Sequence, residues 1–552
     1  MLRACYLLLL SGLIGLGSTS CASLGDDCFG GKDCSGVFGS GGSTSTSAMT
    51  SFSGTMSSTS TGMDPGCLGA IVEGLSAADA KRLINDKCGV FVQAGSTSPT
   101  EDGTQAAPYH TLQKAIDNAG NKRVYACSSM MAPFAEAVTV AAPVEVYGNF
   151  ECDNGWVFKT ATRGVITGAA QKASLTLTDA ADGALIEGFK ITSASATGMK
   201  GDSSVAVAVA AIDATLAESD VEAGDGAAGA DGVPSVDVAT NGADAPVTDP
   251  QLISACINPA ALTVGAPGLT TCDDGSSAGG PGGKGGVSNT NSGNGQAGSD
   301  GKPVDGMNGK GGVGQDSVTL CMNGAVGKNG DPGPVGGGGM ASGTLSLAGI
   351  INTSAADGTD GKSGTSAQGG GGGGGVKSSL LCPGSVDGNG ASGGGGGAGG
   401  CGGKGGGAGK AGGSSIAIIS LGTKLQLTKV TLKSGNGGKG GDGTTGQNSG
   451  TPGAGGKGGA PSVIAGSKAG CKGADGGVGG NGGVGGGGRG GHSIGLAVLG
   501  PPMMKPSSFV SGKAGFGGTA GDGTTPTANG SPGVDGVAKG TCFDFMNNAA
   551  CK

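Results

Sequence analysis

The sequence predicts a mainly β chain: a solenoid of short recurring strands interrupted by long glycine-rich insertions. Three observations carry this. Apolar pairs at period two recur from Val124 to Ile191, as short strands joined by turns would require. Glycine supplies 129 of 552 residues and falls in runs at strict steps of three between later β-patterned segments. Aromatic residues are scarce (12 Phe, 4 Tyr, 1 Trp), and none lies between Phe189 and Phe509. That stretch cannot build the usual core, in which aromatic side chains carry much of the buried area. This argues against a conventional globular enzyme throughout.

The chain begins with an export signal over residues 1–20. Arg3 supplies the positive start, and Leu7 to Gly17 form an apolar stretch too short to span a bilayer. Ser18-Thr19-Ser20 are the small residues that a signal peptidase needs, and Cys21 follows them. This resembles a bacterial lipobox, which implies a diacylglyceryl group on Cys21, although Ser18 stands where that pattern usually has Leu. Cleavage without lipid, giving a secreted chain, is the alternative. Residues 21–63 then form a tether, since 35–62 are almost wholly Ser, Thr and Gly and cannot bury a core. A tether directly after a lipid-accepting Cys holds a domain off a membrane.

Residues 64–191 have ordinary glycine content. Ser76-Ala77-Ala78-Asp79 has capping-box spacing, so a helix runs towards Lys87. Gly89 to Val92 reads as a strand, an Asp102-Gly103-Thr104 loop follows, and Thr111 to Ile116 is helical. Val138 with Val140, Val144 with Val146 and Leu175 with Leu177 continue the period-two series to Leu185, Ile186, Phe189 and Ile191.

The strand, the D-G-T loop, and Pro108, Thr111, Leu112 and Ala115 of a P-x-x-T-L-x-x-A helix resemble the opening module of right-handed parallel β-helices of the pectate-lyase-like superfamily. Glu136 to Val140 and Val144 to Tyr147 match its first coil. The resemblance covers residues 89–191 and implies a right-handed parallel β-helix with an N-terminal helical cap. Physically, an open solenoid end exposes unpaired backbone and an apolar cross-section, so a cap is needed. It implies little about chemistry.

Residues 192–541 alternate two textures. Ser204 to Val209, Thr344 to Leu347, Ser415 to Ile418 and Ser493 to Val498 carry β alternation, and Lys424 to Leu432 reads as two more strands. Each segment is followed by an acid–glycine step, at Asp225, Asp360, Asp442 and Asp522. A degenerate repeat with insertions of variable length is expected. Inside the insertions glycine recurs every third residue over 324–339, 400–412 and 473–491. Three is the period of polyproline II, and glycine on one face lets such helices approach closely. Disorder is the competing reading, because glycine loses the most entropy on ordering. The texture resembles PGRS proteins, and the whole chain looks like large glycine-rich surface lipoproteins of myxobacteria. Residues 542–552 are read as a tail.

The cysteines number 16. Beyond Cys5 and Cys21 they are Cys28, Cys34, Cys67, Cys88, Cys127, Cys152, Cys256, Cys272, Cys321, Cys382, Cys401, Cys471, Cys542 and Cys551, all disulfide candidates whose connectivity stays open. None forms a CxxC pair and there are only two His, so no structural metal is assigned. Gly437 to Thr444 resembles a calcium-binding nonapeptide, but Thr444 occupies its apolar position and no tandem copy follows. No Arg lies between Arg163 and Arg489, Asp273-Asp274 is the one adjacent acidic pair in the middle of the chain, and no lyase motif is recognisable. His110 beside the second helix reads as structural. No catalytic residue and no cofactor are assigned. Net charge is −8, with lysines spread among glycines, so no nucleic-acid partner is expected.

The expected function is that of a non-enzymatic, lipid-anchored outer-membrane or cell-surface protein with a structural or adhesive role. Its partners are the membrane, through lipid, and extracellular polysaccharide or matrix. The alternatives are a polysaccharide-binding protein and, further off, a polysaccharide lyase or hydrolase.

Overall fold

Three parallel sheets collect the period-two segments. The computed structural model describes residues 63–551 apart from 130, 170, 199–200, 212, 289, 342, 353, 379–381, 383–387, 422–423, 464–465, 500–507, 524–541 and 548. The signal, Cys21 and nearly all of the tether lie outside the described residues.

The first sheet runs Gly89–Gln93, Arg123–Cys127, Glu145–Tyr147, Ala184–Glu187, Asp213–Ala217, Lys424–Thr428. The second runs Gly164–Gly168, Phe189–Ser193, Asp220–Glu222, Thr431–Lys433, Ser508–Val510. The third runs Val138–Val140, Leu175–Leu177, Ser204–Val209, Ser415–Ser420, Ser493–Val498, Cys542–Asp544, and ends with Ala549–Ala550 in antiparallel pairing. The chain therefore visits the third, first and second sheets in turn. Ser204 pairs Ser415, Asp213 pairs Lys424 and Asp220 pairs Thr431, each across 211 residues. A constant offset in all three sheets means that residues 223–414 leave the strands and return without a register slip.

Lys424–Thr428 alternates exposed and buried, as a sheet with one wet face does. Leu425 and Leu427 point inward with Ile186, Leu216, Ile191, Val221 and Leu432 into one apolar cluster. Ser204–Val209, Ser415–Ser420 and Ser493–Val498 are instead buried at every residue. Their second face is covered by Leu345, Leu347 and Ile350, which pack on Val205, Ala208, Ile416, Ile419 and Ile494. Here the expected repeat needs correction: Thr344–Ser346 pairs antiparallel with Gly349–Ile351 as a separate hairpin. Its alternation is real, but its apolar side faces the outside of the third sheet.

At the N-terminal end, Leu112, Ala115 and Ile116 of helix Leu112–Asp117 enter the same cluster as the strands. Thr111 caps that helix by accepting from Lys114 N–H. Glu136, expected to open a strand, instead accepts from the Leu112 and Gln113 N–H groups, and the strand starts at Val138. Ser76 caps helix Ala77–Leu83, with its hydroxyl accepting from Asp79 N–H at 3.1 Å. Phe91, Tyr125, Tyr147, Phe150, Trp156 and Phe158 form a second cluster with Ile71 and Leu83. Residues 542–551, read as a tail, close the third sheet with a short antiparallel pair joined by Cys542–Cys551.

Among the described residues the glycine-rich insertions are largely extended runs, bonded to one another backbone to backbone at every third residue. That is the period of polyproline II, a conformation with no internal hydrogen bonds. The run 390–413 has six neighbours. Gly394, Gly397, Gly400 and Gly403 donate to Cys471, Ala474, Gly477 and Gly480; Gly393 and Gly396 to Gly283 and Gly280; Ala398 and Cys401 to Ala243 and Thr240. In return Gly265, Gly268, Gly370, Gly373, Gly453 and Gly456 donate to its carbonyls. Most of its N–H and C=O groups are thus bonded to neighbouring runs, as burial demands. Glycine is compulsory there, because a Cβ on Gly394 or Gly396 would lie 2.0 Å from a neighbouring carbonyl oxygen. The interior of this region is backbone, so it has no use for the aromatic residues that the sequence lacks.

Candidate functional site

A group of titratable side chains gathers where the first sheet turns into the second. Gly188, Glu218 and Lys429 occupy one stacked turn position, each with positive φ (77°, 43° and 53°). For Glu218 and Lys429 that left-handed conformation costs roughly 1–2 kcal/mol each. It is offset in part by their mutual contact: Lys429 Nζ lies 2.7 Å from Glu218 Oε1, which is largely buried.

The adjoining rungs are also charged. Arg123 Nε, which is buried, meets the partly buried Glu145 Oε2 at 2.7 Å, and the Tyr147 hydroxyl donates to the same oxygen at 3.0 Å. Burial, then the charge of Glu145, pushes the Tyr147 phenol far up. Tyr147 is register partner to Glu187. Burial first, and then the neighbouring Glu218, raise the Glu187 carboxyl to about 7, against the pull of Lys429 and Arg163. On the second sheet, Lys190 and Lys433 both pair with Glu222, and Arg163 lies 4.0 Å from Asp220. A carboxyl that titrates near neutrality beside a carboxylate and a lysine can hold or release a proton. Sequence reasoning missed this group. Its members lie on separate passes of the chain, and the one available signal was that Glu187 ends a period-two strand while Glu218 and Lys429 directly follow one.

The predicted site residues fall as follows. Cys21, Cys28 and Cys34 lie outside the described residues. The other twelve candidates pair as Cys67–Cys88, Cys127–Cys152, Cys256–Cys382, Cys272–Cys401, Cys321–Cys471 and Cys542–Cys551. His110 Nδ1 is 3.8 Å from Glu101, which also pairs with Lys114 at 2.7 Å. Asp274 accepts from Ser366 N–H at 2.8 Å. Among the described residues no group of three His, Cys, Asp or Glu converges to hold a metal ion.

The acid–glycine steps, taken from the sequence as repeat markers, have a local role. Asp225 Oδ1 accepts from Asn436 N–H at 2.6 Å, and Gly226 N–H donates back to the Asn436 carbonyl at 2.8 Å. Asx side chain and following N–H thus clasp both backbone groups of one residue in a parallel neighbour. Asp442 with Gly443 clasps Thr519, and Asp231 with Gly232 clasps Asp442. Asn241, Asn323, Asn329 and Asn436, each followed by Gly, clasp Thr451, Lys472, Val478 and Lys513. Between antiparallel runs the two bonds go to residues two apart: Asp360 accepts from Ala408 N–H while Gly361 donates to Gly406. The carboxylate of the calcium-like segment, Asp442, carries Thr519 N–H and Lys439 Nζ.

No protein-family model, curated protein or solved structure matches this chain.

Proposed function

We propose that this chain is a non-enzymatic, lipid-anchored cell-surface protein with a structural or adhesive role, of the kind seen in glycine-rich surface lipoproteins of myxobacteria. In this reading the three parallel sheets wind as a right-handed parallel β-helix, and the glycine-rich runs are a bundle of polyproline II helices extruded from it. The observation that supports the functional reading is the use made of polar side chains. Asp and Asn of the bundle bind neighbouring backbone, Lys310, Lys404 and Lys439 pair with carboxylates, and three cysteine pairs tie segments 126, 129 and 150 residues apart. These groups serve cohesion.

Several disulfides suit an oxidising, extracellular compartment. Among the described residues no helix is long and apolar enough to cross a membrane, so attachment in this reading runs through lipid on Cys21. The test is Cys21→Ala in a Gram-negative host fed labelled fatty acid. Loss of label and release from the membrane fraction are expected; retained label and retained membrane association refute the anchor.

One observation favours a second reading, polysaccharide binding or cleavage: the Glu187 carboxyl titrating near neutrality between Glu218 and Lys429. Purified protein incubated with extracellular polysaccharides distinguishes the two. New chain ends that disappear in Glu187→Gln establish an enzyme and overturn the structural reading.

A further inference from the structure

Asn-Gly is chemically the least durable step in a polypeptide. The glycine nitrogen loses its proton and attacks Cγ of the asparagine; the Cγ–Nδ2 bond breaks and ammonia leaves. Water then opens the resulting succinimide to aspartate or isoaspartate. Two things slow it: a hydrogen bond that occupies the glycine N–H, and one that keeps the asparagine side chain from swinging Cγ over that nitrogen.

Both bonds are present at Asn241, Asn323, Asn329 and Asn436. Their Oδ1 atoms accept from Thr451, Lys472, Val478 and Lys513 N–H at 2.8–2.9 Å. The glycines that follow donate to the carbonyls of those same residues at 2.8–3.0 Å. One bond pins the electrophile and the other occupies the nucleophile. Isoaspartate adds a methylene to the main chain, so a single conversion breaks the three-residue register on which every neighbouring bond depends.

We propose that these four asparagines are latent modification sites: the clasp suppresses succinimide formation while the runs stay together, and each site becomes reactive once its partner run comes away. The inference does not rest on the surface-protein reading. The chain also contains an internal reference. At Asn294-Gly295 the glycine N–H donates to Gln315 at 2.8 Å, but among the described residues the Asn294 side chain has no clasp.

The experiment ages the full, disulfide-intact chain at mildly alkaline pH and quantifies isoaspartate at each site by peptide mapping. Asn294 is expected to convert at least about tenfold faster than the four clasped sites, the worth of about one hydrogen bond. In Thr451→Pro only the N–H that holds Asn241 is lost, and proline has the φ of a polyproline II run. Asn241 should then convert about tenfold faster while Asn323, Asn329 and Asn436 keep their rates, which also reports that the bundle is intact. Val478→Pro should do the same for Asn329 alone. Equal rates at Asn294 and the clasped sites in the unmodified protein overturn the proposal. So does an unchanged target site in either proline variant whose other clasped sites stay slow.

Discussion

Replacing Gly394 by Ala puts the backbone-filled interior under the sharpest strain. A Cβ there would lie 2.0 Å from the Gly456 carbonyl oxygen and 2.6 Å from its carbon, where ordinary contact begins at 3.4 Å. No flexible side chain can yield, so the runs 390–413 and 436–459 must part by more than an ångström. The bonds from Gly456 to Gly395 at 2.7 Å and from Gly453 to Ala398 at 2.9 Å then fall out of range. Overpacking costs about 1–3 kcal/mol, and each buried peptide group left without a partner costs about as much again. With both bonds lost the expected cost is therefore at least about 3 kcal/mol. Gly306 is the control: nothing lies within 4 Å of its Cβ position, and its φ is not left-handed. Gly306→Ala should change stability by less than about 1 kcal/mol in either direction. Urea denaturation of both variants with disulfides intact decides the matter. Equal midpoints for Gly394→Ala and Gly306→Ala would refute a close-packed backbone core.

Further outcomes follow from the same geometry. Cys272→Ser with Cys401→Ser opens a loop across 129 residues, which on loop entropy costs up to about 5 kcal/mol and less where the other cross-links overlap it; thermal unfolding measures this, and an unchanged melt contradicts it. Asp442→Ala should destabilise by about 1 kcal/mol while Asp442→Asn, which keeps the accepting oxygen, should not; equal losses mean the clasp carries nothing. Glu187 has a folded pKa raised from 4.5 to about 7, so the folded state holds its proton longer than the unfolded chain does. Its contribution is full below pH 4.5 and is lost as pH rises to about 7. Glu187→Gln should remove that decline from the pH profile of the melting temperature, and a profile parallel to the unmodified protein counts against the burial of Glu187. Asp475 is shifted the other way, held down by Gly455 N–H and, against its burial, by Lys472. Its contribution is present above its ordinary value of 3.8 and lost as pH falls further, so Asp475→Ala should weaken the protein at pH 7 more than at pH 3.

How much of this could be read from the residues depended on whether the signal was local. The alternation in Lys424–Thr428 marks a half-wet strand wherever its partners are, and most strands from Arg123 to Ser193 were legible for the same reason, whereas Gly164–Gly168, which lacks that pattern, was missed. The caps at Ser76 and Thr111 are contacts across three residues and were equally visible. Thr344–Ser346 shows the limit: alternation shows that one side is apolar, but not whether that side faces the inside of a sheet or the outside of another. Glycine every third residue announced close approach. It could not announce that Gly394 meets Cys471 and Gly373, because those partners are fixed by register between distant runs. Cysteine pairing and the convergence of Glu145, Glu187, Glu218 and Lys429 were hidden for the same reason. The acid–glycine steps were seen as repeat markers, but the clasps that Asp225 and Asp442 make could not be read until the neighbouring run is present.

Amide hydrogen exchange across residues 390–413 tests the central claim most directly. If the glycine-rich insertions pack as mutually bonded runs, the N–H groups of Gly394, Gly397, Gly400 and Gly403 exchange as slowly as those of the buried strand Ser415–Ser420. Exchange of these glycines at the rate of a free chain, with the strand still protected, would contradict it.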